Sequence, residues 1–272
     1  MMPVASTAQA ANPAAFDARL PAAIMLGGSL NGLAVRIVEE LAANGFTSLS
    51  LGIGPFQLIA LLVAARLCLS PDASEHRLPG WLHAAAVVLL LVPSSSFSWL
   101  VVALYAAAQA CAASGRQRTG AAVFLAVALC AIWSSVALKW LAAPVTAAEA
   151  YVVGQLVGLV RPDIVQSGNV IGIPDQHNLV LMTACTTADA LPWAALALVS
   201  VALLLGNPEP RRTFAAVAIL AVAYALANAA RLGAMSWSGD MYALIHGPIG
   251  RNVFDLLQTV AVLGLGSWAS RP

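Results

Sequence analysis

Long apolar segments are the feature of this sequence that most constrains its fold. A helix needs about 20 apolar residues to cross a bilayer, and eight segments approach or exceed that length. They lie at residues 21–46, 51–69, 81–92, 99–113, 121–142, 183–205, 213–233 and 247–268. Only 9% of the 272 residues are charged, whereas an average soluble domain has about 25%. The predicted fold class is therefore an all-α polytopic membrane protein, a bundle of about eight transmembrane helices.

Basic residues predict how this bundle is oriented, because Lys and Arg in short loops favour the cytoplasmic side. With eight spans, five basic regions fall on one side, and they contain Arg19, Arg77, Arg116 and Arg118, Arg211 and Arg212, and Arg271. Both termini are therefore expected in the cytoplasm of a bacterial cell, with the protein in its inner membrane. A disordered tail at 1–19 would precede a single integral membrane domain at 20–272. The net charge of +1 gives no indication of a nucleic-acid partner.

The longest loop, 143–182, is expected on the outer, periplasmic side. It begins with an apolar stretch interrupted by Glu149 and Gln155, which predicts an interfacial or re-entrant helix rather than a span. Two short β runs, 169–173 and 178–183, then flank a turn, and His177 lies near its tip. A short β-like extracytoplasmic segment is therefore expected directly before the helix that begins at residue 183.

Cys185 lies where this outer loop becomes an apolar helix. The unpaired N–H groups and the positive dipole end of a helix N-terminus favour a thiolate over a thiol. Thr183 or Thr186 is a candidate cap for that helix. The alternative is a small apolar residue at a helix end, which is how the other cysteines, Cys68, Cys111 and Cys130, are interpreted.

Arg231 is near the outer end of the next predicted span, and Asn228 precedes it by three residues, on the same helix face. An ionisable residue at membrane depth costs a few kcal/mol and is usually functional. We expect Arg231 to stabilise an oxyanion or to hold a substrate carbonyl or carboxylate. The alternative is a side chain that extends to the lipid head groups.

His246 opens the last predicted span, in the sequence His246-Gly247-Pro248-Ile249-Gly250. A helix N-terminus would lower its pKa and keep the imidazole neutral, as a general base requires. Asp240 or Asp189 is a candidate to orient the ring. Otherwise His246 is an interfacial side chain. No metal-ligand spacing and no Gly-rich phosphate loop is present, so neither a metal nor a cofactor is expected.

These motifs together resemble the exosortase/archaeosortase family of membrane cysteine transpeptidases. The resemblance covers residues 50–270 and rests on three motifs in the family's order: Ala184-Cys185-Thr186 after a loop with short strands, Asn228-x-x-Arg231, and His246-x-x-x-Gly250. It implies that Cys185 is the nucleophile, Arg231 the electrostatic stabiliser and His246 the acid/base. Residues close to these three, namely Asn228, Thr186, Asp189, Asp240 and Gly250, are the expected supporting residues.

The same resemblance implies the substrate. Family substrates are exported proteins with a C-terminal sorting signal, which is a short motif such as Pro-Glu-Pro, a transmembrane helix and a basic cluster. The enzyme would cleave at the motif and pass the acyl group to a surface acceptor. Thr187 departs from the family, which commonly has glycine there, and this bears on the subtype and the recognised motif. Two alternatives stay open, a hydrolytic intramembrane cysteine protease and a non-enzymatic transporter or scaffold.

Overall fold

The structure is a computed structural model, and it describes residues 13–44, 53–70, 78–206 and 208–271. The helices before the sheet are α1 (Pro13–Asn44), α2 (Pro55–Cys68), α3 (Gly80–Leu90), α4 (Ser95–Ala112), α5 (Gly115–Ile132), α6 (Leu138–Trp140) and α7 (Ala142–Gly158). A five-residue π-helical segment, Trp133–Ala137, joins α5 to α6. The helices after the sheet are α8 (Thr187–Leu205), α9 (Pro210–Met235), α10 (Gly239–His246) and α11 (Pro248–Ala269).

Within the described ranges, five helical segments are long and apolar enough to cross a membrane. They are Arg19–Ala42, Ser95–Ala112, Gly115–Trp140, Thr187–Leu205 and Pro210–Met235, and each overlaps a predicted span. The helices α2 and α3 are apolar but only 14 and 11 residues long, and α11 is not among the five. The chain is therefore a helical protein of membrane type with five candidate spans, and the predicted number of eight remains a hypothesis.

Small side chains form much of the larger hydrophobic core, which lies between α1, α2, α4, α5, α8, α9 and α11. Ala60, Ala64, Ala128 and Ala194 are fully buried there. A Cβ atom on Gly120 of α5 would lie 2.6 Å from the backbone nitrogen of Cys68 in α2. Small residues therefore let the helix backbones approach closely, as they do at helix contacts in membrane proteins.

A small antiparallel sheet follows α7, with strands β1 (Val165–Ser167), β2 (Val170–Ile173) and β3 (His177–Val180) in that order. The predicted pair of β runs is confirmed as the β2–β3 hairpin. The first strand was not predicted. The prediction that His177 lies in an exposed turn was wrong, because it opens β3, is half-buried, and its Nε2 lies 3.0 Å from the Met235 carbonyl oxygen.

A second hydrophobic core lies beneath this sheet. Buried side chains of β2 and β3 pack there against Ala150 and Val153 of α7 and against Leu232 and Met235 at the end of α9. Cys185, Tyr242 and other partly buried residues pack against the same core. The sheet thus closes the end of the molecule at which α9 ends and α8 begins.

Two predicted boundaries differ from the structure near this core. The segment from residue 183 is not the start of an α-helix, because Thr183–Cys185 form a 3-10 turn and α8 begins at Thr187. Residues 234–246, expected as a loop, contain α10. At the N-terminus, α1 begins at Pro13, within the predicted tail, and residues 1–12 lie outside the described residues.

Candidate functional site

Cys185 is the last residue of the 3-10 turn that leads into α8. Thr186, with an extended backbone, occupies the N-cap position, and the helix itself starts at Thr187. The Cys185 side chain is partly buried and packs against the second core, as Ala229 of α9 does. The thiol therefore lies just before the helix, and not within its first turn as the sequence predicted.

The predicted threonine cap of α8 was wrong. Thr186 is buried, and its hydroxyl donates a 2.7 Å hydrogen bond to the Thr183 carbonyl oxygen, which is within the preceding turn. The backbone N–H of Thr187 instead donates to both carboxylate oxygens of Glu149, at 3.0 and 2.9 Å. A carboxylate from α7 therefore caps α8, as a negative charge at a helix N-terminus is expected to do.

Glu149 also joins α8 to α9. Its Oε1 accepts a 2.7 Å hydrogen bond from the Thr187 hydroxyl and a 2.8 Å bond from Nδ2 of Asn228. The same Nδ2 of Asn228 lies 2.9 Å from the carbonyl oxygen of Cys185. Asn228 is only 2% exposed, so the loss of a hydrogen-bond partner of its amide is costly.

This network changes the electrostatic argument for Cys185. The sequence predicted that the N–H groups of the helix N-terminus would stabilise a thiolate. In the structure the N–H of Thr187 is bound to Glu149, so that donor faces a carboxylate. Positive charges at this end of the molecule include those of Arg231 on α9 and Arg251 on α11, both of which act on His246.

Arg231 lies one turn beyond Asn228 on α9. Its guanidinium carbon is 4.9 Å from the centroid of the Phe254 ring on α11, a cation–π contact. Its Nε is buried and has no hydrogen-bond partner in the described residues. Arg231 also lines a groove of about 400 Å³ whose other walls are apolar, among them Leu244, Ile249 and Val253.

His246 is the last residue of α10, two residues before α11, so its predicted place at the start of the last span was wrong. Its ring stacks on Tyr242 with centroids 4.9 Å apart and an angle of 15° between the planes. The pKa of His246 is lowered, firstly by burial and then by the positive charges of Arg251 and Arg231. The predicted direction is therefore correct, but the predicted cause, a helix N-terminus, was not.

Gly250 has a clear steric role beside His246. A Cβ atom at this position would lie 2.5 Å from the Ile245 carbonyl oxygen and 2.6 Å from that of Leu244. The absence of a side chain thus lets the first turn of α11 pack against the last turn of α10. Pro248 is at the first helical position of α11, as the sequence predicted.

Asp240 and Asp189 were the two carboxylates proposed to orient the His246 ring, and neither accepts a hydrogen bond from its Nδ1. Nδ1 of His246 is buried and has no hydrogen-bond partner in the part of the chain that is described. Asp240 is exposed in the first turn of α10, and Asp189 is half-buried in the first turn of α8. The ring is held by its stack on Tyr242 instead.

Cys185, Arg231 and His246 are all at the end of the molecule that carries the sheet. Asn228, one turn before Arg231, binds the carbonyl of Cys185. The positive charge of Arg231 acts on His246, and Tyr242, which stacks on His246, packs against the same core as Cys185. The arrangement brings a thiol, a guanidinium and an imidazole to one region, which is the chemistry that acyl transfer through sulfur requires.

Three residues of this region were not predicted as part of the site: Glu149, Thr187 and Tyr242. Glu149 carried a usable signal, because it is a lone carboxylate in an apolar helix and the argument made for Arg231 applies equally to it. Among the described residues, no group of three His, Cys, Asp or Glu side chains is arranged to hold a metal ion.

No protein-family model matches this chain, and no curated protein or solved structure matches it either. The resemblance to the exosortase/archaeosortase family therefore rests on the sequence motifs alone.

Proposed function

We propose that this chain is an exosortase-like membrane cysteine transpeptidase. It would cleave a C-terminal sorting signal on exported proteins and transfer the new acyl end to a surface acceptor through a thioester on Cys185. The proposal takes its residue roles from the motif resemblance. It draws support from the position of Arg231, His246 and the Cys185 backbone at one end of the helices.

The observation that carries the proposal is a pair of unpaired polar atoms. Within the described residues, four buried side-chain N or O atoms lack a hydrogen-bond partner. Two of the four are Nε of Arg231 and Nδ1 of His246. Buried polar atoms without a partner are rare and cost about 1–3 kcal/mol each. Their occurrence on two predicted catalytic side chains supports a site whose partners arrive with the substrate.

The proposed chemistry begins with transfer of the thiol proton of Cys185 to His246. The thiolate attacks the scissile carbonyl carbon, a C–S bond forms, and the carbonyl oxygen takes up a negative charge that Arg231 compensates. The C–N bond then breaks and His246 returns the proton to the leaving amine. An amine or hydroxyl acceptor attacks the thioester, loses its proton to His246, and releases the thiolate.

The groove beside Arg231 is suited to such a substrate. Its walls are apolar apart from the guanidinium of Arg231. A peptide that leads into a transmembrane helix presents apolar side chains together with a backbone carbonyl, and this combination matches the groove. Apolar walls also exclude water, which strengthens the interaction of Arg231 with a developing charge.

The proposed topology is the one predicted from charge, with eight spans, both termini in the cytoplasm and the site facing the periplasm of a bacterial inner membrane. One contact supports it, because Arg212 at the start of α9 donates a 2.7 Å hydrogen bond to the carbonyl of Arg271 near the end of α11. At 1.5 Å per residue, Arg212 and Arg231 are about 28 Å apart along α9, close to the thickness of the hydrocarbon core.

The proposal predicts that Cys185→Ala abolishes processing of exported proteins while the chain still inserts into membranes. The measurement is a mass-spectrometric comparison of protein C-termini in cells with the wild-type chain, Cys185→Ala, or Cys111→Ala, whose cysteine is exposed on α4. We expect shortened C-termini ahead of apolar helices with the wild-type chain and Cys111→Ala only. The same shortened C-termini with Cys185→Ala would contradict the proposal.

The mass of each new C-terminus separates transfer from hydrolysis. Transfer adds the mass of an acceptor, whereas an intramembrane protease that hydrolyses the bond leaves a free carboxyl group. A transporter or scaffold leaves all C-termini unchanged. The first result supports the proposal, and each of the other two replaces it with one of the alternatives.

A further inference from the structure

Among the described residues, the hydrogen bonds to the Glu149 carboxylate come from two neighbouring residues. The groups that bind its carboxylate are the backbone N–H and the hydroxyl of Thr187 and the amide nitrogen of Asn228. An ionised carboxylate accepts hydrogen bonds at both oxygens and donates none. The carboxylate at position 149 can therefore accept a hydrogen bond from each of these donors. A glutamine would direct its own NH2 group at a donor.

We propose that Glu149 is the positioning residue for Cys185, an inference that rests on the proposed function for its effect on turnover. Asn228 makes the connection. Its Nδ2 lies 2.8 Å from Oε1 of Glu149 and 2.9 Å from the Cys185 carbonyl oxygen, and a primary amide has one hydrogen for each. Glu149 thus fixes which way the Asn228 amide faces, because the opposite orientation would place its oxygen against the carboxylate.

Thr187 provides a second connection, on the other side of Cys185. Its backbone N–H and its hydroxyl both bind Glu149, so the residue two positions after Cys185 is held by the carboxylate that also orients Asn228. A glycine at position 187 has no hydroxyl and would lose one of these bonds. Glu149 therefore restrains the turn at Cys185 at two points. One is the Cys185 carbonyl, which it reaches through Asn228, and the other is the start of α8, which it reaches through Thr187.

The three residues of this hydrogen-bond network are far apart in the sequence. Glu149 is 38 residues from Thr187 and 79 residues from Asn228, and the three lie on α7, α8 and α9. Residues of three helices thus form one hydrogen-bond network, and Asn228 connects that network to the Cys185 carbonyl oxygen. Such outer contacts hold a reacting group within a fraction of an ångström of its productive position.

The test measures the reactivity of Cys185 and the turnover separately. In a chain with Cys68, Cys111 and Cys130 replaced by alanine, a membrane-impermeant maleimide reports the rate of alkylation of Cys185 in native membranes. This measurement needs no substrate, so it remains informative if the proposed function is wrong. Turnover is measured on the exported proteins found by the C-terminal comparison. The matched control is Asp163→Asn, which removes a half-exposed carboxylate from the same outer segment.

We expect Glu149→Gln to move the two rates in opposite directions. Loss of the negative charge and of the restraint on the turn both favour reaction of a thiolate with a small reagent, so alkylation becomes at least about twofold faster. Turnover falls by about 10-fold to 100-fold, because small displacements of a reacting atom have effects of that size. Asp163→Asn changes neither rate.

A double variant distinguishes positioning from a structural role. In Glu149→Gln with Asn228→Asp, the amide and the carboxylate exchange places, so α7 and α9 keep a hydrogen bond between residues 149 and 228. The Cys185 carbonyl loses its donor, because aspartate has none. The introduced carboxylate also faces the Cys185 carbonyl oxygen with no proton between them, so we expect this variant to stay less stable than the wild type and its turnover to stay low.

Two results would overturn the inference. One is recovery of turnover together with stability in the double variant, which would make Glu149 a structural link between helices. The other is wild-type alkylation and wild-type turnover in Glu149→Gln. If the wild-type chain itself shows no processing, the proposed function fails, and the alkylation rates alone decide whether Glu149 positions Cys185.

Discussion

The starts of α8 and α11 are built alike but stabilised differently. Each is preceded, two residues before the helix begins, by a predicted catalytic residue, Cys185 for α8 and His246 for α11. The start of α8 is held by Glu149 and Asn228 from two other helices. Among the residues that the structure describes, no side chain caps the start of α11, and none binds the Nδ1 atom of His246.

This difference indicates which residue of the site is fixed and which is adaptable. The backbone of Cys185 is restrained by part-buried hydrogen bonds, so the proposed nucleophile is held before substrate binds. His246 is held by its stack on the ring of Tyr242, and among the described residues its Nδ1 has no hydrogen-bond partner. A restrained cysteine and a less restrained histidine suit the roles proposed for them, in which one atom forms a bond and the other carries protons.

Among variants that remove the difference between the two helix starts, we expect Asn228→Ala to reduce turnover most. It removes the bond to the Cys185 carbonyl and one bond to Glu149, and each buried acceptor left unpaired costs about 1–3 kcal/mol. We expect turnover to fall by about 100-fold and the midpoint of thermal unfolding to fall by several degrees. Asn178→Ala, which removes an exposed asparagine from β3, is the control. Equal turnover in the two variants would show that the start of α8 is not what holds Cys185.

Near the start of α11, substitution of Tyr242 is expected to have an effect of intermediate size on turnover. Stacking between rings contributes about 0.5–1.5 kcal/mol, so Tyr242→Leu is expected to reduce turnover by about 2-fold to 12-fold. Tyr242→Phe keeps the ring and should stay close to wild type. Steady-state rates of both variants on one substrate provide the test. Similar losses in the leucine and phenylalanine variants would show that the stack on His246 is not what matters.

The smallest expected effect is on pH dependence. The proposed function requires a neutral His246, so it predicts that turnover is lost as the pH falls through the His246 pKa, which lies below the ordinary value of about 6.5. Arg251 contributes to this lowering through its positive charge. Arg251→Gln should therefore move the acid side of the pH profile to higher pH, by a few tenths of a unit because Arg251 is exposed and screened. A move to lower pH would contradict this explanation.

The sequence was most informative about segments whose lengths and patterns are distinctive. The apolar runs of α4, α5, α8 and α9 reach the length of a span, and the two β runs around Pro174 and Asp175 form a hairpin as predicted. Strand β1 is only three residues long and α10 only eight. Neither is long enough to show the period that distinguishes strands or helices from loops.

For the site, the sequence indicated which residue types to consider, but it did not indicate which of them bind to one another. Cys185 and His246 were chosen because they lie at the starts of predicted spans, and Arg231 because it is an ionisable residue at membrane depth. The partner of the α8 start was missed because a nearby threonine is the usual cap, whereas Glu149 lies 38 residues away. A single sequence contains no signal for such a distant contact, and only the packing of α7 against α8 and α9 brings it about.

The central claim, that Cys185 is an acylated nucleophile, is tested most directly by the mass of the tryptic or chymotryptic peptide that contains it. Membranes that contain the chain and one of the substrates found by the C-terminal comparison are quenched in acid while the substrate is being cleaved. The proposed function predicts that the Cys185 peptide carries the mass of the cleaved substrate's end and that hydroxylamine removes it. An unmodified Cys185 peptide, together with undiminished cleavage by Cys185→Ala, would contradict it.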